Sequence, residues 1–247
     1  MTRFPLCFAL AALPLLAVPA SAAGIDASQL SCVVLPSQYL KLSSAVPGIV
    51  RSVRVERGDR VHRGQPLLEL IADVENAQAE LAKSKSDLLH RKLARNQDVI
   101  QRKLLSDMER DQLESDAKMA QQEYEVARRT AAQKTTLSPI EGIVVARKAE
   151  PGQYAGTEPV FELASLDPLN VELVFKVDAY GKLKPGSAAT IALGAPVGAI
   201  RKGTVAIVDK VIDARSGTFG VRVKLPNPGL AIPSGVSCKA AFDGSAN

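Results

Sequence analysis

The residue types that most often carry catalysis or bind metals are few in this chain, and they are scattered. It has two histidines, His62 and His90, and neither has a Cys, Asp or Glu neighbour at metal-ligand spacing. It also lacks Gly-x-Ser-x-Gly, a phosphate-binding glycine loop and His-Glu-x-x-His, which are motifs of hydrolases, nucleotide-binding proteins and zinc proteases. These absences favour a non-enzymatic protein that uses no metal and no other cofactor.

The N-terminal residues 1–23 have the three parts of a secretory signal peptide. Arg3 supplies the positive charge, residues 8–18 the apolar core, and residues 20–22 (Ala-Ser-Ala) the cleavage pattern. Pro14 interrupts the core, so a retained membrane helix is the weaker interpretation. We therefore expect export to the periplasm, where disulfides are permitted and nucleic acid is not a partner. No cysteine stands at the cleavage point, so no lipid anchor is expected.

A long stretch without helix breakers, residues 67–138, contains neither Gly nor Pro, although the chain has 17 Gly and 15 Pro. Its composition favours helix throughout. Near the middle, Ser106 and Glu109 have the spacing of a capping box, which starts a new helix. The stretch therefore predicts two helices, about 74–104 and 107–135, folded back as an α-helical hairpin. One continuous helix is the alternative.

Apolar residues in the second predicted helix recur at alternating steps of four and three, which is the heptad pattern of coiled coils. This seam consists of Leu113, Ala117, Ala120, Tyr124, Ala127 and Ala131. The first helix is less regular, with one seam that starts at Val74, Ala77, Leu81 and Leu88 and then shifts to Leu89, Leu93, Ile100 and Leu104. We predict that the two arms pack as an antiparallel coiled coil through the second-helix seam.

The segments on either side of this stretch repeat each other. Residues 48–50 (Gly-Ile-Val) return as 142–144, and residues 66–70 (Pro-Leu-Leu-Glu-Leu) return as 159–163 (Pro-Val-Phe-Glu-Leu). Short apolar runs between glycine turns indicate strands. Because neither copy is long enough to bury a core alone, we expect the two to pair into one small β-sandwich.

From Leu169 onward the pattern is β throughout. Apolar runs separated by Gly and Pro cover residues 171–175, 188–193, 203–211, 219–225 and 236–242. With the segment that starts at Cys32 they make six strands, and a closed barrel would leave no exposed sheet edge. Residues 168–247 contain 10 basic and 5 acidic side chains, within a chain of net charge +5. That excess would steer the barrel towards an anionic membrane or an acidic protein surface.

Together these features resemble the periplasmic adaptors (membrane fusion proteins of the HlyD and resistance-nodulation-division type) of tripartite efflux or secretion systems. The two repeats resemble the halves of a lipoyl or biotinyl domain. Three segments resemble turn motifs of the adaptor barrel: 184–186 (Lys-Pro-Gly), 213–218 (Asp-Ala-Arg-Ser-Gly-Thr) and 226–228 (Pro-Asn-Pro). Ser216 and Leu225 depart from the family pattern, which has Thr and Phe there.

The resemblance implies an elongated, mixed α and β fold made of several modules. A lipoyl-like β-sandwich would be split by the coiled-coil hairpin and followed by a six-stranded β-barrel. The expected parts are the signal peptide (1–23), the lipoyl-like halves (32–72 and 137–166), the hairpin (73–136) and the barrel domain (167–247). The chain ends soon after the last expected strand, so a minimal adaptor without a fourth, membrane-proximal domain is expected.

The resemblance also implies the function and the partners. The protein would be peripheral to the inner membrane, link an inner-membrane transporter to an outer-membrane channel, and assemble into a homo-oligomeric ring such as a hexamer. The alternative is a scaffold or assembly subunit of a polysaccharide or adhesin secretion machine. A carboxylase carrier domain is disfavoured, because the hairpin replaces the tight turn that would hold the carrier lysine.

Two sets of site residues follow from the same resemblance. Arg95, Val99 and Ser106 have the spacing of the channel-docking residues at the hairpin tip, where Val99 replaces the family's Leu. The ordinary alternative is an exposed arginine, a seam valine and a capping serine. In the family, the segments that hold Cys32 and Cys238 lie close together, which implies a disulfide between them. Two buried thiols are the alternative.

Overall fold

The structure is a computed structural model that describes residues 31–242. Within them lie twelve strands and three α-helices. The strands are β1 (Ser31–Ser43), β2 (Gly48–Val53), β3 (Arg60–Val61), β4 (Pro66–Leu70), β5 (Thr135–Leu137), β6 (Gly142–Arg147), β7 (Tyr154–Ala155), β8 (Pro159–Lys176), β9 (Ala188–Leu193), β10 (Ile200–Val208), β11 (Thr218–Leu225) and β12 (Ser237–Phe242). The helices are α1 (Asp73–Arg95), α2 (Gln97–Gln101) and α3 (Asp107–Ala132). The predicted signal peptide, with Cys7, lies outside the described residues.

Six strands close into a barrel, in the order β1, β12, β9, β10, β11, β8, with β8 pairing back onto β1. Every pairing around the ring is antiparallel. Alternate side chains point inward because successive residues of a strand face opposite sides of the sheet. Phe175 packs in this core against Phe219 and Phe242, with ring centroids 5.7 and 5.5 Å away. The predicted six-stranded barrel, with the Cys32 segment as one of its strands, is confirmed.

The two sequence repeats share a second core. The amide of Gly58 donates to the carbonyl of Val144 at 2.8 Å, and the equivalent amide of Gly152 donates to the carbonyl of Val50 at 2.8 Å. The short strand of each repeat pairs with the first strand of the other, β3 with β6 and β7 with β2. Equivalent positions are buried in both copies: Val50 and Val144, Leu68 and Phe161, Leu70 and Leu163. The repeats are therefore related by an approximate two-fold axis.

Two long strands connect the cores. β1 and β8 pair from Cys32 opposite Leu173 to Ser43 opposite Pro159, with a break in register between Pro36 and Gln38. Leu163 lies in the core of the repeats, whereas Leu173 lies in the barrel core. One strand thus passes through both cores.

A buried asparagine holds the junction beside β8. Asn227, 2% exposed, lies in the Pro-Asn-Pro segment singled out in the sequence. Its Nδ2 donates to the carbonyls of Leu166 (3.0 Å) and Ile232 (2.9 Å), and its Oδ1 accepts from the amide of Ile232 (2.9 Å). This side chain therefore fixes the β11–β12 connection against the centre of β8.

Helices α1 and α3 pack along each other in opposite directions. Glu75, near the start of α1, pairs with Lys134, just beyond the end of α3, at 2.8 Å. Halfway along, Ser86 donates to Gln121 at 2.9 Å. We call α1 and α3 the helical pair. The alternative of one continuous helix is wrong, because α3 begins anew at a capped residue, Ser106.

The buried face of α3 is the heptad seam read from the sequence, with Ala117 and Ala120 buried. The seam proposed for the first half of α1 is wrong, because Val74, Leu81 and Leu88 are 67, 73 and 53% exposed. The face of α1 towards α3 consists instead of Ala79, Ala82, Ser86, Leu89 and Leu93. Small residues on both helices let the backbones approach closely, and this leaves the larger side chains outside.

The predicted helix ends at 104 and 135 are also wrong. α1 ends at Arg95, where Asn96 leaves helical geometry at ψ 0° and its Nδ2 donates to the carbonyl of Lys92 at 2.8 Å. The Lys92 carbonyl also accepts from the amide of Asn96 at 3.3 Å, so the backbone and the side chain of Asn96 both close the last turn of α1. α3 ends at Ala132 because the chain then enters β5, which pairs with β4.

Candidate docking site at the end of the helical pair

Backbone hydrogen bonds close the turn between the two long helices. After the short helix α2, Lys103 has a left-handed φ of 54°. Its amide donates to the carbonyl of Ile100 (2.9 Å), and the amide of Leu104 donates to that of Val99 (3.0 Å). These two bonds are the Schellman pattern that ends helices, usually with glycine at the left-handed position. The end of the pair is therefore an ordered surface.

Ser106 caps α3, and its predicted capping box with Glu109 is confirmed. The Ser106 hydroxyl accepts from the amide of Glu109 at 3.2 Å and donates to its carboxylate at 2.8 Å. The carboxylate also accepts from the amide of Ser106 at 3.0 Å. The hydrogen bond from the Ser106 side chain is the main cause that lowers the pKa of Glu109. The hydroxyl is thus already engaged in holding the helix start.

Arg95 and Val99 lie at the same end on different elements. Arg95 is the last residue of α1, and its Nε donates to the carbonyl of Arg91 at 3.3 Å, so the side chain folds back along its own helix. Val99 is half-buried on α2. Among residues 31–242, no hydrogen bond joins Arg95 to Val99 or Ser106. The structure places the three predicted residues at one end but does not bring them into mutual contact.

Two apolar residues at this end were not assigned to the docking site from the sequence. Leu104 is 70% exposed and Met108 is 80% exposed, one on each side of Ser106. Large apolar side chains exposed together are typical of surfaces that bind other proteins. The sequence does contain a sign of this apolar surface, because the two apolar residues flank a capping box whose own turn is polar. The candidate docking site therefore consists of Arg95, Val99, Leu104, Ser106 and Met108.

Residues 95–111 carry four basic and four acidic side chains, but most of the acidic ones are already engaged. Arg110 binds Asp107 at 3.2 Å and Asp111 at 2.9 Å, and the hydrogen bond with Asp111 is the main cause that raises the pKa of Arg110. The carboxylate of Glu109 is held by Ser106. Within the described part of the chain, Arg95, Arg102 and Lys103 have no ion-pair partner here, and neither does Asp98 of α2. The site can therefore accept carboxylates or the carbonyls at a helix end.

The other residues considered for chemistry lie elsewhere. His62 is exposed beside Glu141, with Nδ1 and Oε1 3.6 Å apart, while His90 is on α1. Across residues 31–242, no three His, Cys, Asp or Glu side chains come together as metal ligands could. In the same part of the chain, none of the helices has the length and apolar character needed to cross a membrane.

The structure joins the sulfurs of Cys32 and Cys238 as a disulfide inside the barrel. Cys32 of β1 lies directly opposite Cys238 of β12, with the Cα atoms 4.9 Å apart. Both residues are buried, and the bond links positions 206 residues apart in the chain. It fastens the first and last described strands to each other.

No model of a known protein family matches this sequence. Among curated proteins it is similar to an uncharacterized protein of Haemophilus influenzae, with 24% identity over 208 residues. The match covers 82% of this chain and 54% of that protein, so the chain spans about half the length of its relative.

Solved structures of similar fold are those of membrane fusion proteins. A chimera of MacA and MexA, which carries the α-hairpin domain of Pseudomonas aeruginosa MexA, matches with a TM-score of 0.72 and 15% identity. That match covers 87% of this chain and 80% of the chimera. The membrane fusion protein Spr0693 of Streptococcus pneumoniae matches with a TM-score of 0.67 and 15% identity, over 88% of this chain and 99% of that one. At this identity the likeness establishes the fold.

Proposed function

We propose that this chain, which has the fold of membrane fusion proteins, is a non-enzymatic periplasmic adaptor. It would link an inner-membrane transporter to an outer-membrane channel for efflux or export. The observation that carries the proposal is the presence of a closed barrel, a core built from two repeats and a long helical pair in a single chain. On this interpretation residues 73–136 are the hairpin, 32–72 and 137–166 the lipoyl-like halves, and 167–247 the barrel domain.

The connectivity places the helical pair and the barrel at opposite ends of the repeat core. Arg60 donates to the carbonyl of Gly229 at 2.7 Å, so the β3 side of the core faces the barrel. β4 then runs from Pro66 to Leu70, and the helices leave from its far end. α3 alone, with 26 residues, is roughly 40 Å long. A molecule whose barrel and helical pair lie at opposite ends is suited to link proteins in two membranes.

The outer faces of the helical pair support self-assembly. Val74, Leu81 and Leu88 follow each other at intervals of seven on α1 and are exposed. Met119 and Val126, also seven apart, are exposed on α3. A heptad interval keeps such residues on one stripe, and an apolar stripe favours packing against another helix. We assign these stripes to contacts between neighbouring copies in a ring.

The candidate docking site would meet the channel. Its unpaired cations suit carboxylates or the carbonyls at helix ends, and Leu104 and Met108 offer apolar area around them. Because Ser106 is engaged by Glu109, we assign the main binding role to Arg95 and the apolar residues, and a mainly structural role to Ser106.

The test is an Arg95→Asp variant in a strain that lacks the native copy, assayed for export and for capture of the channel. Lys83→Asp is the matched control, because Lys83 is exposed in the middle of α1. We expect Arg95→Asp to lose export and capture while its melting temperature stays unchanged, and Lys83→Asp to keep both. Wild-type export and capture by Arg95→Asp would contradict the assignment.

A further inference from the structure

Two loops form an ordered surface at the end of the barrel away from the repeat core. The β8–β9 and β10–β11 connections meet there, since the amide of Val177 donates to the carbonyl of Gly217 at 2.9 Å. The ring of Tyr180 packs edge-on against Phe219, with centroids 5.2 Å apart. We call residues 176–184 and 209–217 the loop platform.

The loop platform exposes apolar side chains that the barrel core does not need. Val211 is 81% exposed, and Val177, Tyr180 and Ile212 are also exposed. Val177, Val211 and Ile212 lie outside the buried core of the barrel, whereas Tyr180 contacts Phe219 at its edge. Tyrosine with an apolar body and a polar tip is common where proteins meet the membrane interface.

Cations surround these apolar residues. The platform has five basic side chains (Lys176, Lys182, Lys184, Lys210 and Arg215) and three acidic ones (Asp178, Asp209 and Asp213). The Asp213 carboxylate is exposed and accepts from the amides of Arg215 (2.8 Å) and Ser216 (3.3 Å) within its own turn. Asp209 lies over Gly220 of β11, where a Cβ would collide with its carboxylate. With all three aspartates exposed, the platform carries a net charge of +2.

The chain also enters the barrel at this end. Cys32 lies opposite Leu173, three residues before β8 ends at Lys176, so Ser31 begins beside the platform. The helical pair, by contrast, leaves from the far side of the repeat core. The platform and the candidate docking site are thus at opposite ends of the molecule.

We propose that the loop platform binds the surface of a bilayer that contains anionic phospholipid. Val211 and Ile212 would enter the headgroup layer, while Lys182, Lys210 and Arg215 contact phosphates. Apolar residues surrounded by cations suit an anionic bilayer. Burial of the apolar side chains and attraction of the cations to the lipid phosphates then both favour binding. That the bilayer is the inner membrane rests on the proposed function, whereas the affinity for anionic lipid does not.

The experiment measures co-sedimentation of the purified, exported protein with vesicles. One set is phosphatidylcholine alone, and the other contains about one third phosphatidylglycerol, to give the negative surface that attracts basic segments. We expect binding to the anionic vesicles only. Val211→Asp and the pair Lys210→Glu with Arg215→Glu should each weaken it about tenfold or more, because each opposes one of the two attractions.

Matched controls separate this surface from the general basicity of the protein. Ile200→Asp changes an exposed isoleucine at the start of β10, away from the platform, and Lys83→Glu with Lys118→Glu reverses two exposed lysines of the helical pair. Both should bind like the wild type. Absence of binding to anionic vesicles, or equal losses in platform and control variants, would overturn the proposal. Either result leaves the adaptor function standing, because the Arg95 assay does not involve this end.

Discussion

At the residue scale, Asn227 holds the β11–β12 connection against the centre of β8. Its side-chain amide makes three hydrogen bonds in a buried site, two of them to backbone carbonyls. Asn227→Ala should lower the free energy of unfolding by about 2–3 kcal/mol, because buried polar groups lose their partners. Urea denaturation measures this, with Gln38→Ala on the exposed face of β1 as the control. Equal stability of both variants would contradict the role.

The second prediction at this scale concerns Cys32 and Cys238. We expect the mature protein to contain this disulfide, because the two residues face each other on paired strands and the proposed periplasmic location is oxidising. Mass spectrometry of alkylated, non-reduced protein should find neither thiol modified. After reduction, both should react and the protein should lose about 2–4 kcal/mol of stability. Two thiols that alkylate freely without reduction would refute the bond.

Local chemistry could be predicted from the sequence at this scale, and distant contacts could not. The capping box of Ser106 is visible because its partner, Glu109, is three residues away. The role of Asn227 is not visible, because its partner Leu166 is 61 residues away and is reached through a backbone carbonyl. Any residue can supply a carbonyl, so the sequence around Leu166 carries no sign of the contact.

At the scale of elements, the contact between α1 and α3 depends on small buried residues. Ala120→Glu would bury a charge against α1, and we expect a loss of about 3 kcal/mol or more together with reduced helix content. Gln122→Glu, two residues further on and exposed, is the control and should be neutral. Circular dichroism during thermal unfolding distinguishes the two. An unchanged melting temperature for Ala120→Glu would count against the packing.

The sequence predicted the α3 face of the helical pair and only the later part of the α1 face, Leu89 and Leu93. On α3 the apolar residues themselves mark the seam. On the first half of α1 the seam is made of Ala79, Ala82 and buried Ser86, while the large apolar residues there point outward. A search for periodic hydrophobicity gives most weight to large apolar side chains. It therefore selected the stripe of α1 that has the largest side chains. Close approach of two helices depends instead on small side chains. Ser86 can lie in the contact because Gln121 accepts a hydrogen bond from its hydroxyl.

At the scale of the molecule, the outward stripe of α1 should control assembly. We expect the wild type to form oligomers and Leu81→Glu to shift them towards monomers, because the charge would be buried between neighbouring copies. Lys83→Glu, which lies off the stripe, should leave assembly unchanged. Sedimentation velocity at several protein concentrations measures the distribution. A Leu81→Glu variant that assembles like the wild type would exclude this stripe as the contact.

The order of parts along the chain could be predicted, but the strands shared between them could not. The repeats, the stretch without Gly or Pro and the β pattern after Leu169 each have a distinct composition. β1 and β8 do not, because each is one continuous strand that enters both cores, with a register break between Pro36 and Gln38 on β1 where the two cores meet. A boundary at residue 166 therefore falls inside a single strand.

The most direct test of the adaptor function is site-specific photocrosslinking in living cells. A photoreactive amino acid replaces Val99 at the end of the helical pair, and in a second strain it replaces Lys83 midway along α1. We predict that position 99 forms a covalent adduct with an outer-membrane channel, identified by mass spectrometry, and that position 83 forms none with it. The absence of a channel adduct at position 99, or equal adducts at both positions, would contradict a bridging role for this protein.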